Sequence, residues 1–170
     1  ADLSESYLRD ATLRSATLTD ANLAGAILTK ANMSGANLRN ADLADANLSG
    51  VDLSQADLTG ANLKGIKLNG ANLTGAILDG SDVSLANLNK ANLTEASLNG
   101  ANLSGANLAG ATLIRTKLNG SVMSGAILSD ANLTDAELRE TDLNMANLRG
   151  ATMNQAIITG AILRDAIMGR

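Results

Sequence analysis

Ala21-Asn22-Leu23-Ala24-Gly25 recurs almost unchanged as Ala101-Asn102-Leu103-Ser104-Gly105. The same five-residue phrase runs from Ala1 to the end, dividing the 170 residues into 34 pentapeptides with none left over. The third position is Leu in 28 of them and otherwise Met33, Val83, Met123, Met153, Ile158 or Met168. The first position is Ala in 27. All 30 charged side chains fall at the second, fourth or fifth position. Two positions in five therefore face a dry interior and three face water.

Period five suits neither standard element. A helix needs apolar residues at i, i+3, i+4 and i+7, and a five-residue period scatters Leu around every helical face. A plain strand needs period two. Ala and Leu lie two apart and share one face of a short extended segment. The next Ala lies three beyond that Leu, so a turn must absorb the odd residue. The chain then bends every five residues toward one interior, and stacked coils bury together what no repeat buries alone.

The fifth position carries that turn. It holds 15 of the 16 glycines, and a type II turn requires positive φ at its third residue, which glycine adopts freely. Polar residues fill many other corners, where another turn type is open. Leu85 and Met145 are unusual corner residues, and local departures from type II geometry are expected there.

The repeat A-[N/D]-L-x-x resembles the pentapeptide-repeat family over the whole chain. That resemblance implies an all-β, right-handed quadrilateral parallel β-helix (a β-solenoid) with four pentapeptides per coil, hence about 8.5 coils in one domain over residues 1–170. At the usual strand spacing the rod is ~41 Å long. A twenty-residue coil stacks Asp10 under Lys30, and Glu95, Arg115 and Asp135 with alternating sign. It also stacks Asp2, Asn22, Asp42, Asn62, Asp82 and Asn102, whose amides are expected to form ladders.

Composition restricts function. There is no Cys, His, Trp, Phe or Pro, and Tyr7 is the one aromatic residue. Nucleophile–base pairs and soft-metal clusters lack their usual members. No catalytic, cofactor-binding or metal-binding residue is assigned and no cofactor is expected; an enzyme is not. The net charge of −4 argues against a nucleic-acid surface. Apolar runs are too short to insert directly into a membrane, although the chain is compatible with a soluble domain of a membrane protein. It begins in register at Ala1 without Met, which points to a trimmed or processed chain. The expected compartment is the cytoplasm, or the periplasm or thylakoid lumen if Ala1 follows a removed signal.

Close carboxylates at Asp42/Asp45, Asp79/Asp82, Asp135/Glu137 and Glu140/Asp142 suggest a Ca²⁺ site or an acid–base pair. The solvated flank of a solenoid is the favoured reading. A hydroxyl column, Ser34, Ser54, Thr74 and Thr94, suggests ice binding, but Arg14 and Ile114 interrupt it.

Departures at outward positions carry more information. The second position is Asn or Asp in 18 repeats, yet becomes apolar at Ile27, Ile77, Val122, Ile127, Ile157, Ile162 and Ile167. Five of these seven lie in the last 50 residues, and an apolar cluster there suggests a contact surface. The competing reading is β-branched residues tolerated on a strand-like wall. Just before and among them runs an acidic stretch, Asp130, Asp135, Glu137, Glu140 and Asp142, which offers a negative patch unless Arg115, Lys117 and Arg139 neutralise it. These ten residues, from Val122 to Ile167, are the candidate interaction surface. The leading expectation is a non-catalytic structural or protein–protein interaction module whose partner protein is unknown. Self-association through a solenoid end is a second expectation, because open strand edges invite pairing. The resemblance also implies an alternative, a DNA-mimicking modulator of type II topoisomerase (gyrase). Relatives of that kind are typically more acidic, carry Phe at some central positions and have a C-terminal cap. The loop-free, all-Leu style is most similar to cyanobacterial members.

Overall fold

The computed structural model describes residues 1–169. Each second-position residue from Asp2 to Asn147 forms a parallel bridge to the residue twenty further on, the last being Asn147 to Ile167. One coil therefore takes twenty residues and has four walls. The first wall carries residues 2, 22 and onward to 162, and the second carries 7, 27 and onward to 167. The third carries 12 to 152, and the fourth 17 to 157.

Each extended segment is so short that the wall is a ladder of isolated bridges, not a set of long strands. Its hydrogen bonds run between coils. The Leu23 N–H donates to the Asp42 carbonyl at 2.6 Å, and the Asn22 N–H donates back to the Ala1 carbonyl at 2.8 Å. The fifth-position N–H also reaches the next coil, as Gly25 does to Ala44.

Every fifth residue from Glu5 to Asp165 has positive φ, and no residue at the fourth position does. The first-position N–H of the next repeat closes each turn onto the third-position carbonyl, as in Ala26 to Leu23. Positive φ at the third turn residue alone is the mark of type II. Leu85 and Met145 adopt it as well, at 58° and 56°, so the departures expected there do not occur. The ladder above and below each corner over-determines its φ and overrides the residue's own preference.

First- and third-position side chains fill the rod. From Ala21 to Leu148 they are buried at both positions. Where a first-position residue is a hydroxyl it usually turns to a backbone carbonyl: Ser81 to Leu78, Thr116 to Leu93 and Thr141 to Leu118. The Ser121 hydroxyl is buried with no hydrogen-bond partner among the described residues.

Candidate functional site

With the interior uniform, any site must be assembled from outward positions, and the second position governs them. Its Asn or Asp side chain accepts the N–H of the residue two further on. Asn22 does so for Ala24 at 3.1 Å, Asp57 for Thr59 at 3.0 Å and Asn147 for Arg149 at 3.1 Å. All 18 second-position Asn and Asp residues make this bond. Among the described residues no fourth-position N–H finds a backbone partner, so this side-chain clamp answers an otherwise unmet donor. Stacked ladders are secondary: Asn62 donates to Asp42 at 2.9 Å and Asn72 to Asp52 at 3.1 Å.

On the fourth wall Ser97, Lys117 and Glu137 replace Asn/Asp, and the clamp moves to the residue below. The Asp79 carboxylate accepts the Asn99 N–H at 2.8 Å, Asn99 accepts that of Asn119 at 3.1 Å, and Asn119 accepts that of Arg139 at 3.0 Å. This column is not visible in a single pentapeptide. The twenty-residue spacing of Asp79, Asn99 and Asn119 is the signal that would have found it.

The acidic stretch is dispersed. Glu137 lies on the fourth wall and Asp142 on the first. Asp130, Asp135 and Glu140 occupy three successive corners. Glu137 is bonded by Asn119 at 3.0 Å and by the Arg139 guanidinium at 2.8 Å. These bonds outweigh its partial desolvation and, helped by Lys117, hold its carboxyl below the usual range. In the expected triplet, Arg115 pairs with Glu95 at 2.7 Å and not with Asp135. Asp10 and Lys30 share one corner column, and the ion pair that Asp10 makes among the described residues is with Arg9 at 3.5 Å. No group of three or more Asp or Glu residues is arranged to hold a metal ion among the described residues. A shallow polar depression on the third wall is lined by residues that include Arg14, Ser34 and Ser54.

The apolar residues do not form one end patch either. Val122 and Ile162 stand on the first wall with Asp142 between them. Ile127 and Ile167 stand on the second with Asn147 between them, and Ile157 is on the fourth. Two residues outside the expected set join them: Leu85 and Met145, each 63% exposed.

Comparison with known proteins agrees with this geometry. The family model for pentapeptide repeats matches in eight overlapping copies that together run from residue 1 to 165. None of the curated protein sequences matches the chain at a significant level. Among solved structures, the chain is 34% identical to HetL from the cyanobacterium Nostoc sp. strain PCC 7120, a protein involved in heterocyst differentiation regulation. That match covers 98% of this chain and 86% of HetL, with a TM-score of 0.49. A pentapeptide repeat protein of the Arabidopsis thaliana thylakoid lumen is 34% identical over 61% of this chain and 68% of its own, with a TM-score of 0.48. Trypsin-treated QnrB1, a plasmid-mediated fluoroquinolone resistance protein, superposes with a TM-score of 0.67 at 16% identity, covering 94% of this chain and 84% of QnrB1. Known structures of pentapeptide repeat proteins are right-handed quadrilateral β-helices. With its uninterrupted A-[N/D]-L-x-x register and twenty-residue coils, the chain belongs to the pentapeptide repeat family.

Proposed function

We propose that this chain is a non-catalytic structural or protein-interaction module, a rod of about 8.5 coils that offers flat walls to a protein partner. One observation carries the reading: every corner from Glu5 to Asp165 keeps the same positive-φ turn, with or without the Asn/Asp clamp, so neighbouring walls differ only in outward side chains. Specificity then resides in departures from the clamp, as at Val122, Ile127, Ile157, Ile162 and Ile167, and in the charges at Asp130, Asp135, Glu137, Glu140 and Asp142. A photo-crosslinking residue placed in turn at Asn92, Asn107, Lys117 and Asn102 samples the four walls. One wall is expected to capture a defined protein; uniform failure on all four walls would count against the module.

A second partner of this polypeptide is another copy of itself, stacked through an end coil. The N–H groups of Asp2, Tyr7, Thr12 and Thr17 find no hydrogen-bond partner among the described residues. Sedimentation should show weight-average mass rising with concentration; a strictly monomeric profile over a wide range removes this part of the proposal.

The topoisomerase alternative draws support from fold alone, through the likeness to QnrB1. The net charge of −4 is small and unevenly placed: carboxylates such as Asp2, Asp42, Asp82 and Asp142 gather on the first wall, while the second carries Arg9, Lys67 and Arg149, so the rod is not acidic all round as duplex DNA is. Inhibition of gyrase supercoiling at micromolar protein would favour it.

A further inference from the structure

Apart from glycine, Leu85 and Met145 are the only apolar residues at a fifth position. Twenty-residue stacking puts both on the corner between the first and second walls. The two corner residues between them are Gly105 and Gly125. A methyl group of Leu85 leans over Gly105, whereas the space above Gly125 is open. Val122 flanks Gly125 on the first wall and Ile127 flanks it on the second. Together these residues frame an apolar notch three coils long, ~14 Å at the usual spacing between coils.

Folding does not account for any of the four. Leu85 and Met145 hold positive φ while mostly exposed, a conformation that disfavours bulky residues. Val122 and Ile127, 39% and 40% exposed, replace the clamp. The Ser124 and Ser129 N–H groups accordingly meet no acceptor among the described residues, unlike Arg164 above Ile162, which is taken by Asn144 at 3.1 Å. Four departures that each forgo a stabilising feature converge on one corner, and exposed apolar patches of this kind mark contact sites.

The rim sets the partner's charge. Asp82 and Asp142 stand in the Val122 column, with Glu140 on the corner beyond them. The facing column on the second wall, Asn87, Asn107, Ile127 and Asn147, is uncharged, and Arg164 lies past the Met145 end. We propose that the notch docks an apolar segment of another protein that bears Lys or Arg along the flank facing the first wall. This rests on the interaction-module reading and gives it a location. A second copy of the chain is the poorer occupant, since its own notch carries the same acidic flank, Asp82, Asp142 and Glu140.

Random peptides displayed on phage and selected on the intact chain are the probe. The expected winners combine apolar residues with Lys or Arg, and bind L85G/M145G at least about tenfold more weakly than wild type. Glycine is the commonest residue at these corners, so that variant keeps its fold, as circular dichroism and thermal unfolding will verify. V122N/I127N, which installs the family's usual residue, should show the same loss. I77N, on the fourth wall, should show none. Winners that bind L85G/M145G as tightly as wild type, or that are acidic, would overturn the proposal. If they instead lose binding only on I77N, the notch is wrong and the module reading stands. A selection that yields no binder from any wall overturns both.

Discussion

Leu63 and Lys64 are neighbours in the chain with opposite surroundings: Leu63 is fully buried and Lys64 is exposed. Replacing Leu63 by Asp places an unpaired carboxylate in the rod and should cost several kcal/mol, on the order of 4. Replacing Lys64 by Asp should change stability by no more than about 0.5 kcal/mol. Urea unfolding of the two variants checks the inside–outside assignment, and equal effects would refute it. Ser121 gives the opposite sign. Its buried hydroxyl has no partner among the described residues, and the usual residue at its position is Ala, so Ser121→Ala should stabilise the chain by about 1 kcal/mol. Ser81→Ala, which removes a hydroxyl bonded to Leu78, should gain less. In the sequence Ser121 is one of seven first-position residues that are not Ala. The sequence could not show the missing partner, because that depends on which carbonyl the hydroxyl faces.

At the scale of a wall, the clamp turns one residue type into an element-wide device. Val122→Asn and Ile127→Asn each restore an acceptor for a fourth-position N–H and should raise stability by about 0.5–1 kcal/mol. Asn119→Ala breaks the fourth-wall column twice, freeing the Arg139 N–H and removing a donor to Glu137. It should cost about 1–2 kcal/mol, measured by thermal or denaturant unfolding. The wall pattern was partly legible beforehand: A-[N/D]-L-x-x revealed that Asn and Asp face outward and suggested ladders between coils. The dominant bond proved to run within each repeat instead. The reason is local geometry, since the side chain at the second position lies within reach of the amide two residues on.

Across the whole molecule, most charges are solvated and only a few pairs are fixed. Burial alone would raise the Asp57 carboxyl, but hydrogen bonds from the Thr59 hydroxyl and N–H, together with Arg39 at 3.1 Å, hold it below its ordinary value. Glu137 is held low chiefly by Asn119. A carboxyl that titrates lower in the folded chain than in the unfolded one binds fewer protons when folded. Its stabilisation is present above the ordinary carboxylate range and is lost as pH falls through the lowered folded values. Stability should therefore decline below about pH 4, and Asp57→Asn should flatten part of that decline; denaturant midpoints between neutral and acid pH provide the check. The sequence by itself determined the period, the Ala/Leu interior and the outward placement of every charge, because a five-residue repeat admits only one dry side. Only the tertiary structure decided which outward residues become neighbours. Stacking at twenty residues splits the acidic stretch and the late isoleucines among several walls. It brings Leu85 and Met145, sixty residues apart in the chain, onto one corner beside Val122 and Ile127, because neighbours on a coil are set by the length of a full turn and not by distance along the chain.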